Sequence, residues 1–130
     1  MKLKEDFYKQ ESLIVAPSLI GKLLVRKLEN GNIIRYRITE TEAYLGEEDT
    51  ACHAKVGKTK RTKPLYNQGG CAYVYLCYGI HYLFNIVTGP KEHPQAVLIR
   101  GVEGYDGPAK LTKKMQIKKD INEVSLINSD

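Results

Sequence analysis

The chain has 130 residues, a length that fits one domain and leaves no room for two ordinary ones. Hydrophobic residues make up 42% and charged residues 27%, ordinary globular values that exclude wholesale disorder. Twenty Lys and Arg against fifteen Asp and Glu give a net charge of +5, which favours an anionic partner.

The N-terminal run MKLKEDFYKQ is charged and lacks an apolar h-region. No secretion signal is read, so the expectation is an intracellular protein, in the cytoplasm and nucleoid of a bacterium or the nucleus of a eukaryote. Residues 5–20 are predicted to form one or two helices interrupted near Pro17, with Ser18 suited to a helix start. Two strands are predicted next, over 22–28 and 33–44, with the strong hairpin signal Asn30-Gly31 between them. In the second strand Ile34, Tyr36, Ile38, Glu40, Glu42 and Tyr44 share one parity, and so one face if the strand stays regular. Carboxylates on a core-facing side are costly without a partner or a task. The plain alternative is that the strand ends near Thr39 and both acids lie in solvent.

Leu45 to Thr50 reads as a loop, with Asp49 or Thr50 able to cap a short helix carrying Cys52 and His53. Charge is segregated here. Residues 40–49 hold five acids (Glu40, Glu42, Glu47, Glu48, Asp49), and residues 55–63 hold five bases (Lys55, Lys58, Lys60, Arg61, Lys63). Each cluster is either a solvated loop or a binding surface. From Pro64 to Pro90 there is no charged side chain, but Asn, Gln, Gly and Tyr interrupt the run, which fits a buried hairpin better than a membrane span. That second hairpin is predicted over 72–87. Tyr73, Tyr75 and Cys77 point one way, Val74 and Leu76 the other, and Tyr78-Gly79 falls at the turn. Residues 95–102 read as a buried strand ending at Arg100, Gly107-Pro108 as a turn, and Ala109 to Ile117 as a basic helix. Three cysteines without a CxxC spacing argue against a disulfide framework or a zinc site, and Cys52, Cys71 and Cys77 are expected to be small buried residues. Gly69-Gly70 lacks the context of a nucleotide-binding glycine motif.

Two carboxylates, a histidine, clustered tyrosines and a basic loop together fit a nucleic-acid enzyme. Aromatic faces hold unstacked bases, cations hold phosphates, and a carboxylate can activate water.

The runs ETEAYLGEEDTACH (40–53), YVYLCYGIHYLFN (73–85), AVLIRGVEG (96–104) and GPAKL (107–111), with LIGKLLVRKL upstream of RITETEAY, resemble the alkyladenine (3-methyladenine) DNA glycosylase family over residues 15–117. The resemblance implies a single α+β domain with a curved, mainly antiparallel sheet, short helices and a protruding β-hairpin that enters the minor groove. It implies a monofunctional enzyme of base-excision repair, monomeric and without a membrane, that flips alkylated or deaminated purines such as 3-methyladenine or hypoxanthine out of double-stranded DNA. It would then hydrolyse the N-glycosidic bond without any metal or organic cofactor. Carried over by position, Glu42 would be the general base that activates water. Tyr44 and Tyr75 would sandwich the flipped base, with His53 at the pocket edge. Tyr78 would be the intercalating wedge. Asn85 would line the pocket floor and crowd the 2-amino group of guanine. Arg100 would position the water or a phosphate. Lys58, Lys60 and Arg61 of the basic loop are expected on the DNA backbone.

Departures from the family pattern are Cys52 for Ala, Thr62 for Asn, Pro64-Leu65 for a Met-Phe pair, and Gly101 and Gly104 for Ala and Pro. Relatives continue past the point matching Asp130, so this sequence reads as short at its C-terminus, and a shortened pocket is expected to lose neutral lesions first. Two other readings fit the residues. One is a catalytically weak or inactive nucleic-acid-binding module that uses the tyrosine hairpin and the basic loop. The other is a small RNA-binding β-domain.

Overall fold

Runs rich in β-branched and aromatic residues pair into one antiparallel sheet in the computed structural model, which describes residues 3–45, 62–77, 79–92 and 94–127. The strands are β1 (Leu23–Lys27), β2 (Ile33–Tyr44), β3 (Ala72–Cys77), β4 (His81–Thr88), β5 (Gln95–Val102) and the short β6 (Tyr105–Asp106). Their order is β1-β2-β5-β4-β3, with β6 added to β5. Helices α1 (Glu5–Tyr8), α2 (Ser12–Leu19) and α3 (Pro108–Lys114) complete an α+β architecture. No helix among the described residues is long and apolar enough to cross a membrane, and the uncharged run from Pro64 to Pro90 holds the β3–β4 hairpin.

Local chemistry explains the connections. Gly31 takes φ +88° and its amide donates to the Leu28 carbonyl. The Asn30 side-chain oxygen accepts from the Asn32 amide. Asn30 itself is not left-handed, so the expected hairpin forms through a longer loop than a two-residue Asn-Gly turn. Pro17 does not divide the N-terminal helices. It lies within the last turns of α2, and Ser18 is no N-cap: its hydroxyl donates back to the Ile14 carbonyl. The break instead falls at residues 9–11. At α3, Pro108 occupies the first helical position, where its missing amide proton has no bond to forfeit.

One main core fills the face of the sheet that meets the helices. Val15, Ala16 and Leu19 of α2 and Leu111 of α3, with Met115 just beyond it, pack on Ile38, Val74, Phe84, Ile86, Val97, Ile99 and Val102. A smaller cluster of Leu65, Tyr66, Tyr73, Val87 and Ala96 lies on the opposite face, beneath a 3₁₀ turn at Lys63–Tyr66. Gly69 is explained by packing: a Cβ there would overlap the Tyr8 carbonyl oxygen. The outer edge of β3 is covered by the C-terminal segment. Ala72 N donates to Val124 O at 2.9 Å, Glu123 N to Ala72 O at 2.8 Å, and Val74 N to the Asn122 side chain at 2.9 Å.

Strand β2 departs from the regular alternation predicted for it. Its pairing with β5 runs Ile38↔Val102, then Glu40↔Gly101, then Thr41↔Ile99, so each strand holds one extra residue in turn. The register is recovered, but the parity of both strands inverts. Before the irregularity the even residues Ile34, Tyr36 and Ile38 join the main core; after it the odd residue Ala43 does, and Thr41 turns to α2. On β5, likewise, Val97 and Ile99 but then Val102 reach that core. Glu42 and Tyr44 therefore do not share a face with Ile34, Tyr36 and Ile38. They lie on the opposite side, away from the helices, which removes the cost of carboxylates facing a core. Nor does the strand end at Thr39: it continues to Tyr44, with Glu40 exposed at the irregularity.

Candidate active site on the sheet face away from the helices

Strand register assembles the site. Tyr73 pairs with Asn85, Asn85 with Leu98, and Leu98 with Glu42, so these four side chains form one row across β3, β4, β5 and β2. The adjacent row on β4, β5 and β2 is Val87, Ala96 and Tyr44. With strands about 4.8 Å apart, the Glu42 and Asn85 backbones stand roughly 10 Å from one another. Tyr44 and Tyr75 both pack, half-buried, against the Leu65–Tyr66–Tyr73 cluster, and the Tyr73 and Tyr75 ring centroids lie 5.3 Å apart.

Glu42 is held by Arg100, its diagonal neighbour on β5, with Nη1 of the arginine 2.8 Å from Oε2. The two side chains are 40% and 44% exposed, and a pair this open contributes at most about 1 kcal/mol to stability. Its main consequence is orientation. One carboxylate oxygen is engaged, while Oε1 makes no hydrogen bond among the described residues and stays available on this face. Asn85 is buried to 2% and its Nδ2 donates to the Tyr73 carbonyl, fixing the amide in the sheet.

The strand carrying Glu42 and Tyr44 is clamped from behind by α2. Thr41 donates its hydroxyl to the Ala16 carbonyl at 2.8 Å. Fully buried Ser12 donates its hydroxyl to the Tyr44 carbonyl at 3.1 Å, and its amide donates to Gln95 Oε1 at 2.8 Å. Sequence reasoning missed Ser12, Thr41 and Gln95. Only Thr41 carried a signal, since it lies inside ETEAY at the parity that a regular strand would turn away from the helices. Thr41→Val keeps the β-branched shape and deletes one hydrogen bond. Urea unfolding is expected to register a loss of about 1 kcal/mol, and Thr41→Ser should recover most of it.

Of the predicted site residues, the fold brings together Glu42, Tyr44, Tyr75, Asn85 and Arg100 on one face. His53, Tyr78, Lys58, Lys60 and Arg61 lie outside the described residues, as does Cys52. Tyr73, of the same parity as Tyr75, is fully buried in the smaller cluster. Cys71 and Cys77 are half-buried where full burial was expected, because each sits on the tyrosine-bearing parity of β3, which is only partly covered. Burial pushes the Cys71 thiol up, which favours its protonated form. An apolar groove lined by Leu24, Phe84, Met115, Ile117 and Leu126 opens on the helix-bearing face, the wrong side of the sheet for Glu42.

The methylpurine-DNA glycosylase family matches residues 6–106. A Borreliella afzelii protein named "Putative 3-methyladenine DNA glycosylase" is 47% identical over 95% of this chain and 73% of its own length. Proteins of the same name from Natranaerobius thermophilus and Clostridium botulinum are 42% and 44% identical, over 99% and 98% of this chain and 76% and 62% of theirs. On the extent of these matches, the chain belongs to the methylpurine-DNA glycosylase family.

Proposed function

We propose that the protein is a DNA glycosylase that hydrolyses the N-glycosidic bond of alkylated purines such as 3-methyladenine, with Glu42 as the general base. The observation that carries this reading is the Glu42–Arg100 pair, which lies on the same sheet face as Tyr44, Tyr75 and Asn85. In this reading Arg100 holds Oε2, and Oε1 accepts a hydrogen bond from a water beneath C1′ of a flipped nucleotide. The water's oxygen forms the new bond to C1′ as the C1′–N bond breaks. Its proton passes to Glu42, and the electron pair of the broken bond leaves with the base. The sugar carries positive charge on the way, so the carboxylate also stabilises the transition state. A cationic base such as 3-methyladenine leaves readily; a neutral one such as hypoxanthine must first be protonated or hydrogen-bonded. Tyr44 and Tyr75 would stack on the extruded base, and Asn85 would sit beneath it.

The test is release of free base from duplex DNA carrying 3-methyladenine or hypoxanthine. Release of 3-methyladenine is the expected result, with hypoxanthine slower. Lesion-dependent binding without release from either duplex would make the chain a binding module and sink the enzymatic reading.

A further inference from the structure

The parity inversion in β2 has a second effect, on the other half of the strand. Ahead of the irregularity the odd residues face away from the helices, onto the same side of the sheet as Glu42, Tyr44 and Arg100. Those residues are Ile33, Arg35 and Arg37, and their partners on β1 are Lys27, Val25 and Leu23. All six are exposed. The set therefore holds three cations, three apolar side chains and no acid. Leu23, Val25 and Ile33 are 50%, 52% and 49% exposed, and exposed apolar groups gathered on one face mark an interaction surface. The even residues of the same two strands behave differently. Leu24, Ile34 and Tyr36 pack on the main core, and Arg26 is drawn to the Met115 and Gln116 carbonyls. The Arg37 guanidinium also donates to a carbonyl, that of Gly21, while Arg35 makes no side-chain hydrogen bond among the described residues, and both arginines stay exposed on the side where the site lies.

We infer that this outer face of the β1–β2 hairpin binds the sugar–phosphate backbone of the duplex flanking the lesion. The inference rests on the proposed glycosylase reading and extends it to a surface remote from the pocket. Charge complementarity and continuity with the Glu42 face select DNA as the occupant. At roughly 3.4 Å per residue, Arg37 and Arg35 lie about 17 and 24 Å along β2 from Glu42. Phosphates of one strand follow one another at about 3.4 Å along the helix axis, so with β2 laid along the duplex these two cations reach backbone about five and seven nucleotides from the flipped one. Lys27 extends the track further, and the apolar side chains between the cations meet deoxyribose. Phosphate contacts of this kind set register and orientation without reading sequence.

The test is the salt dependence of binding to a long lesion-bearing duplex. Each phosphate contact contributes about 0.9 to the log–log slope, so Lys27→Gln/Arg35→Gln/Arg37→Gln together should flatten it by up to about 2.7. Between 50 and 200 mM salt the wild type should then lose about 40-fold more affinity than the triple variant. Arg35→Gln alone, which removes no hydrogen bond seen among the described residues, should flatten the slope by about 0.9 and guards against a folding defect in the triple variant. On a hairpin duplex with only about four base pairs on either side of the lesion, the substitutions should have no effect, because the track lies beyond its end. Single-turnover base release at saturating protein should be unchanged, since Glu42 is untouched. Unchanged slopes for both variants on the long duplex would overturn the inference. So would an effect of equal size on the short one. Wild-type base release, measured alongside, separates the two readings. Release without a slope change removes only this surface, and a slope change without release removes only the hydrolase.

Discussion

Glu42→Gln is expected to abolish base release while leaving affinity for lesion DNA nearly unchanged. The amide fills the same space and can still meet Arg100 through its oxygen, but it is a poor base. Loss of a general base typically slows a reaction by about 10² to 10⁴-fold. The carboxylate's second contribution, stabilising the positive sugar, is lost with the same substitution. The informative control is Glu40→Gln. Glu40 lies two residues away, exposed at the irregularity opposite Gly101, and its carboxylate makes no hydrogen bond among the described residues. It should remain active. Single-turnover excision of 3-methyladenine by both variants decides the assignment: if Glu40→Gln is the inactive one, the general base has been misassigned.

Tyr78→Ala is expected to impair base extrusion far more than bond cleavage. Tyr78 stands in sequence between the end of β3 at Cys77 and Gly79, which takes φ +68° in the turn to β4, and the neighbouring Ile80 is 70% exposed. The family resemblance makes the Tyr78 ring the proposed wedge for the gap that a flipped nucleotide leaves. Extrusion costs a few kcal/mol, roughly, in stacking and pairing. Stacking of a ring on the bases recovers about 1 to 3 kcal/mol, so truncation should lower the flipped population about tenfold or more. The deficit should be largest for a lesion paired in the duplex and smallest for the same lesion opposite a mismatch or in single-stranded DNA. Single-turnover excision in both contexts provides the measurement. An equal deficit in each would assign Tyr78 to the pocket or the fold.

Much of this protein was legible from its residues alone. The extent of β2 follows from β-branched and aromatic residues alternating largely with charged ones and from the absence of Gly or Pro, and it forms over 33–44 as predicted. The β3 facing, with Tyr73 on one side and Val74 on the other, follows from period-two alternation in a strand without a bulge. The ETEAY, YVYLCYG and AVLIRG runs were enough to propose the family and to name Glu42 and Arg100 as site residues, but Arg100 was expected on the water or a phosphate, and its ion pair with Glu42 appears only in the fold. Other features needed the fold. Alternation along β2 was misread past Ile38, because a bulge is a pairing event between two strands and neither strand's sequence declares it. Pro17 looked like an interruption because local sterics disfavour it within a helix, yet the packing of Val15, Ala16 and Leu19 against the sheet holds α2 through it. The roles of Ser12 and Gln95 were invisible for a related reason. Their partners, Tyr44 and Ser12, are 32 and 83 residues distant in the chain, and only the stacking of α2 on β2 and β5 brings them together. Sequence by itself determined which side chains were available for chemistry. The tertiary structure decided which of them share a face, because parity depends on where two strands slip against one another.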